Sequence, residues 1–265
     1  MSGDLAKQAW AVVTGASSGT GLVFAQELAR RGYKVLAIAR RRDRLESLAR
    51  EAAARGGTIE PLIADLGTTS GVSLVVARLA ELDDLDLMVN NAGVATAGDF
   101  SQSSVDEELS AVHLNVDAVI TLTHAALKPM RRRGRGCIIN LASVVAFQPF
   151  PHFAVYAASK AFVLSFTESL AGEMRGSGVR VLAICPGAAK TEMSVFSHNS
   201  GLLGKLPSLS PEQIVRTALR ASEGSSAVKI VGWLNRMLVF MNRFLPRAAV
   251  RWIMGSIARP EHSRS

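Results

Sequence analysis

Tyr156, Lys160 and Ser143 are the side chains whose types and spacing could act together on one carbonyl group. Tyr156 and Lys160 stand four apart, so a helix over 154–175 puts them on one face, with the ammonium near the phenol oxygen. A free tyrosine has a pKa of about 10, and a neighbouring cation stabilises the phenolate, which brings proton exchange closer to neutral pH. Ser143, thirteen positions before Tyr156, adds a hydroxyl. By itself a Tyr–Lys pair one turn apart more often marks a solvated helix edge, so the elements around it must decide.

Those elements begin with Ala9 to Thr14, a short apolar strand running directly into Gly15-Ala-Ser17-Ser18-Gly19-Thr20-Gly21. Leu22, Ala25, Leu28 and Ala29 then recur at helical spacing, which places the glycines in a turn between a strand and a helix N-terminus. Glycine permits positive φ and close backbone approach, and free N–H groups together with the helix dipole favour a pyrophosphate there. The spacing differs from the common G-x-G-x-x-G fingerprint, so a tight turn that binds nothing is the plainer alternative. Further apolar runs at Val35 to Ala39, Leu85 to Val89, Cys137 to Leu141 and Val179 to Ile184 alternate with longer helical patterns. That alternation predicts an α/β fold, a Rossmann-like doubly wound parallel sheet covered by helices on both faces. A chain of 265 residues can form this as a single domain over 1–265. The glycine loop, Asn90 to Gly93, Ser143 and Pro186 each follow a predicted strand, so they gather at the carboxyl rim where such sheets bind ligands.

In this collinear order the residues resemble the short-chain dehydrogenase/reductase family. Thr14-Gly15-x-x-x-Gly19-Thr20-Gly21 is similar to its T-G-x-x-x-G-x-G cofactor loop, Asn90-Asn91-Ala92-Gly93 to its N-N-A-G motif, and Asp65-Leu66 to its adenine-side position. The resemblance implies a catalytic tetrad of Asn115, Ser143, Tyr156 and Lys160, with Asn115 anchoring a water in the proton relay and Lys160 also binding the nicotinamide ribose. It places Pro186 and Gly187 beside the nicotinamide and Thr191 at the carboxamide, although Ala188-Ala189-Lys190 here departs from the usual P-G-x-V-x-T. The same resemblance implies a homodimer or homotetramer.

At the end of the second strand an acidic side chain would hold a ribose 2′-hydroxyl and a basic one a 2′-phosphate. Arg40, Arg41 and Arg42 stand there, and a guanidinium fork suits phosphate, so NADP(H) is expected over NAD(H). Arg40 is assigned to the phosphate, Ser17 or Ser18 can add a hydroxyl, and Arg41, Arg42 and Arg44 fit equally the start of the next helix. Five histidines show no ligand spacing, which gives no indication of a metal. Cys137 and Cys185 lie in separate apolar strands and read as inert buried thiols, and with no secretory signal in view a cytoplasmic setting is expected.

Val145, Phe150 and Phe153, then Met193 and Phe196, predict an apolar pocket for a lipophilic ketone or aldehyde, acyl or steroid-like, with 187–210 as a lid. The chain is basic, formally +8. Arg131, Arg132, Arg133 and Arg135 complement the end of a long helix, and no motif points to nucleic acid. Residues 233–260 read as an amphipathic extension of two helices, the second starting near Pro246, interrupted by too many charges to span a membrane. Their apolar faces are expected over the substrate pocket or against another subunit, with contact to an anionic membrane surface as the second reading. Two other classes stay open: a nucleotide-sensing binding protein on this scaffold, and a membrane-docked structural partner.

Overall fold

The computed structural model describes residues 9–189 and 208–258. Seven strands form one parallel sheet in the order β3-β2-β1-β4-β5-β6-β7. These are β1 Trp10–Thr14, β2 Lys34–Ala39, β3 Thr58–Ile63, β4 Leu85–Asn90, β5 Gly136–Leu141, β6 Val179–Cys185 and β7 Val228–Ile230. The interior strands are apolar at nearly every position because both faces are covered. Alternate residues serve opposite sides: Val13 and Ile139 pack with Phe24, Leu45 and Ile214, while Val12 and Ile138 pack with Val75, Leu122 and Met130.

Phe24 belongs to α1 Gly19–Arg30, Leu45 to α2 Arg42–Ala53, Val75 to α3 Thr69–Ala80 and Leu122 to α5 Ala118–Arg133. Before α5 come α4 Val105–Val112 and a π-helical turn His113–Asp117. The expected long helix carrying the tyrosine is α6 Ala154–Glu173, and α7 Pro211–Ala221 starts with a capping box between Ser210 and Gln213 and Pro211 in its first turn. Beyond β7 the chain forms α8 Trp233–Asn242 and α9 Arg247–Ala258, the two helices expected of that segment, the second opening directly after Pro246. No described helix is long and apolar enough to cross a membrane.

A polar seam runs through the apolar interior at the carboxyl half of the sheet. Asn90 Nδ2 donates to Asn140 Oδ1 at 2.8 Å and to Thr123 Oγ1 at 3.0 Å, and Asn140 Nδ2 donates to Thr167 Oγ1 at 2.9 Å. All four residues are buried, so β4 and β5 are locked to α5 and α6 just below the rim where their loops begin. Replacing Asn140 by Ala strands one amide proton of Asn90 and removes the donor to Thr167 Oγ1, which keeps its own bond to the Val163 carbonyl; urea denaturation is expected to show a loss of about 1–3 kcal/mol. A loss below the error of the fit would mean that the seam contributes nothing net.

Candidate active site

The rim of the sheet is organised at the junction of β1 and β4, where the crossovers leave in opposite directions and a crevice opens. Thr14 ends β1, and its Oγ1 accepts from the N–H groups of Asn91 at 3.0 Å and Ala92 at 2.9 Å. The Asn91 amide in turn donates to the Thr14 carbonyl at 2.9 Å. The glycine loop therefore lies against the N-N-A-G turn, and a Cβ on Gly15, at φ +69, would fall 2.9 Å from the Asn91 amide. Gly21 has a different duty: a Cβ there would lie 2.2 Å from the Gly15 carbonyl oxygen, so it closes the strand-to-helix turn and does not line the crevice.

The first turn of α1 carries no acidic residue, and Ser18 at its N-cap makes no side-chain capping bond. Its orphan N–H groups face a cavity of about 820 Å³ lined by Gly15, Ser17, Ser18, Gly19, Thr20, Asp65, Leu66 and Asn91 to Gly93. The cation that reaches this loop is Arg41, whose guanidinium donates to Ser17 Oγ at 3.0 Å and Ser18 Oγ at 2.7 Å. Arg40, assigned the phosphate from sequence, also lines the cavity but is largely exposed, with a guanidinium nitrogen 3.9 Å from an Asp65 oxygen. The two neighbours leave the end of β2 in different directions, and one-letter order alone does not say which turns toward the loop. Arg42 enters α2 and pairs with Glu46 at 3.6 Å. The uncapped helix terminus, the close backbone approach at Gly15 and the arginine–serine cluster together fit a phosphorylated dinucleotide.

Farther along the same cavity stand Ser143, Tyr156, Lys160, Pro186 and Gly187. Ser143 leaves β5 in extended conformation and caps a 3₁₀ turn, Val144–Phe147, its Oγ accepting from Val145 N at 3.3 Å. Tyr156 and Lys160 come from the first turns of α6, the ammonium 5.9 Å from the phenol ring centre. Lys160 is buried and donates to the Leu141 carbonyl at 2.8 Å. The sequence suggested that this cation lowers the phenol pKa. In the structure burial outweighs other effects and pushes Tyr156 above its usual value, while the Ser143 hydroxyl opposes the shift. Tyr156 is thus held as a neutral proton donor, and burial pushes Lys160 down to about 8, with Cys185 partly opposing that change.

Asn115 sits in the π-helical turn, 1% exposed. Its amide donates to the Val94 carbonyl at 2.8 Å and Ser159 Oγ at 3.1 Å, and its Oδ1 accepts from Val94 N at 3.0 Å. Both amide protons are spent on protein, so this side chain braces the loop after β4 against α6. Burial pushes both thiols up to about 12, and neither cysteine lines the cavity. Among the described residues no three histidine, cysteine, aspartate or glutamate side chains are grouped as a metal would need.

Of the expected pocket residues, Val145 and Phe150 line the cavity. Phe153 does not: it is buried in a small cluster with Ala157 and Ala258, its ring 5.2 Å from that of Phe150, and it serves packing beneath the wall. Thr191, Met193 and Phe196, and most of the lid at 187–210, lie outside the described residues. The wall that sequence reasoning did not name residue by residue comes from α8, α9 and the turn between them: Leu234, Leu238, Met241, Leu245, Ile253, Met254 and Ile257. Asn235 and Asn242 add polar groups to it, and the Asn242 amide bonds Gln148. The signal was the stripe Leu234, Leu238, Met241 and Leu245 at i, i+4, i+7 and i+11, an apolar helix face that must cover something.

The depressed lysine has a measurable consequence. Between pH 8 and the ordinary lysine value of about 10.4, the unfolded chain holds a proton that folded Lys160 has released, so this group favours folding more as pH rises. The stability advantage of Lys160→Met over the parent is therefore expected to shrink by about 2 kcal/mol from pH 7 to pH 10 in urea titrations of ligand-free protein. An advantage that stays constant across this range would show that folded Lys160 is not desolvated.

Residues 9–200 match the family profile described as short chain dehydrogenase. A short chain dehydrogenase of the fungus Pseudocercospora fijiensis is 40% identical over 186 residues, which is 69% of this chain and 60% of that protein. Human 17-beta-hydroxysteroid dehydrogenase type 3 is 33% identical over 72% of this chain and 62% of its own length. The chain thus aligns with only about three fifths of either relative. Among solved structures, a short-chain dehydrogenase from Sphingobium yanoikuyae in complex with NADPH superposes with a TM-score of 0.80 at 31% identity, covering 89% of this chain and 93% of the other. Because the matched region contains the whole β1–β4 crevice together with Asn115, Ser143, Tyr156 and Lys160, this chain belongs to the short chain dehydrogenase family.

Proposed function

We propose that this protein is a carbonyl reductase, reversible as an alcohol dehydrogenase, that uses NADP(H) and acts on a lipophilic ketone, aldehyde or secondary alcohol of acyl or steroid-like character. The observation that carries this reading is one continuous cavity, with a phosphate-binding cluster at one end, Ser143 and Tyr156 in the middle, and an apolar wall from α8 and α9 at the other. The names of the relatives agree, since one is a hydroxysteroid dehydrogenase and one solved neighbour holds NADPH.

The orphan N–H groups of α1 and the glycine loop would hold the pyrophosphate, Arg41 with Ser17 and Ser18 the 2′-phosphate, and Asp65 and Leu66 the adenine side. Lys160, Asn91 to Gly93, Pro186 and Gly187 would border the nicotinamide half. When bound, the cofactor supplies the hydride that adds to the carbonyl carbon. Tyr156 gives its phenolic proton to the carbonyl oxygen, and Ser143 Oγ hydrogen-bonds the same oxygen as negative charge develops. Lys160 lies close enough to stabilise the phenolate left behind, and a proton from solvent restores the tyrosine. For oxidation Tyr156 accepts the alcohol proton. Asn115 acts as a positioning residue through its bonds to Val94 and Ser159. A sensor would need neither Ser143 nor Tyr156 in the ligand cavity, and a structural partner would not need the uncapped phosphate turn.

Self-association is proposed through the flank formed by α4, α5 and α6, where Leu109, Ile120 and Phe162 are exposed.

A spectrophotometric panel of hydrophobic ketones, aldehydes, 3-oxoacyl thioesters and steroids with NADPH tests the activity. Tyr156→Phe is expected to lower turnover of any active substrate at least about a hundredfold while NADPH still binds. Unchanged turnover would overturn the catalytic assignment. Arg41→Ala is expected to raise KM for NADPH at least about tenfold and leave KM for NADH nearly unchanged. Tighter binding of NADH than NADPH by the parent would overturn the arginine reading.

A further inference from the structure

Helix α8 is apolar on two faces, and only one of them is used by the cavity. Leu234, Leu238, Met241 and, in the turn after the helix, Leu245 line the cavity, whereas Trp233, Met237, Phe240 and, in the same turn, Phe244, also at i, i+4, i+7 and i+11, run along the outside. Trp233 is 76% exposed and Phe244 68%, and Phe240 and Phe244 pack edge to face with ring centres 5.1 Å apart. On α9, Trp252 is 74% exposed. Of the fourteen large apolar side chains exposed among the described residues, five that do not line the catalytic cavity, Trp233, Met237, Phe240, Phe244 and Trp252, fall in this one stretch, so it is a patch rather than scatter. Under the outer stripe lies a groove of about 800 Å³, walled by Phe147, Ile230, Trp233, Met237 and Phe240 and sharing Val239 and Asn242 with the catalytic cavity.

The charge around the patch says what covers it. From Trp233 to Ala258 the sequence contains Arg236, Arg243, Arg247 and Arg251 and no acidic residue. All four arginines are exposed, and none forms an ion pair with a described carboxylate. Arg236 and Arg243 lie at the groove itself, whose wall also includes Glu168. Exposed tryptophan and phenylalanine flanked by exposed guanidinium groups match the headgroup region of an anionic bilayer, where aromatic rings sit among the upper acyl chains and arginines meet phosphates.

We propose that the outer face of α8, with the start of α9, is a docking surface for an anionic lipid bilayer. The aromatic stripe inserts to the level of the upper acyl chains, the groove beneath it receives an acyl chain, and Arg236, Arg243, Arg247 and Arg251 bind headgroup phosphates. One helix then separates the lipid from the catalytic cavity. The docking itself does not depend on the proposed reaction.

Flotation of the full chain with phosphatidylcholine vesicles, with and without phosphatidylglycerol, tests it. Binding is expected only to the anionic vesicles, with weakening as salt rises and a blue shift of tryptophan emission. Trp233→Ser together with Phe240→Ser should abolish flotation. Arg243→Gln and Arg247→Gln should each lower the partition coefficient about fivefold. None of these side chains lines the catalytic cavity, so a retained circular dichroism spectrum and retained NADPH binding confirm that the variants are folded. No flotation of the folded parent, or equal flotation of the parent and both aromatic replacements, would overturn the proposal. So would light scattering that shows the aromatic pair breaking an oligomer with no effect on vesicles, since the stripe would then be the seat of a second copy.

Discussion

The hydroxyl of Thr14 is the point on which the site depends. It accepts two backbone N–H groups from the turn after β4, so the ends of two neighbouring strands are held together at the place where their crossovers diverge. A divergence of crossovers opens a crevice in any doubly wound sheet, but does not by itself give it a defined width. Here the width is set by three bonds that Asn91 and Ala92 donate to Thr14, with the Gly15 backbone pressed against the Asn91 amide. From that junction the glycine loop leads one way to the phosphate cluster, and the loop after β4 leads the other way to Asn115 and α6.

Burial then sets the chemistry. The proton donor is half-buried in the cavity wall and its cationic neighbour is buried, and this desolvation raises the phenol pKa and makes the ammonium easier to deprotonate. These opposite shifts bring two groups whose free values are similar into different roles, one donating and the other stabilising the charge left behind. The buried asparagine–threonine seam beneath them holds β4, β5 and α6 in fixed register, so Ser143 and Tyr156, which come from different elements, meet at one place. The apolar wall from α8 and α9 encloses the far end of that place and gives it a preference for greasy molecules.

Sequence reasoning reached furthest where the constraint is local. The positions of β1, β2, β4, β5 and β6 followed from periodicity, while β3 and β7 were not named, the turn at Gly15 followed from its composition, and the Tyr156–Lys160 spacing from the helix pitch, because each depends on neighbours along the chain. The two helices beyond β7 were legible for the same reason, including the break at Pro246. What failed was direction. Arg40 and Arg41 are adjacent and alike, yet only Arg41 bonds the loop serines; Phe150 and Phe153 belong to one aromatic run, yet only Phe150 lines the cavity. The order of residues does not say which way a side chain turns when the backbone leaves a strand or enters a 3₁₀ segment.

By itself the sequence determined the layered α/β class, the crevice at the strand ends, the identity of the proton donor and the basic, apolar character of the last helices, since all of these rest on spacing and residue type. Only the tertiary structure decided that Asn115 is a brace whose amide protons are already used, that burial rather than the neighbouring cation governs the phenol, and that α8 covers the catalytic cavity with one apolar face while a second remains outward. These depend on desolvation and on partners distant in the chain, quantities that arise only when the elements have packed.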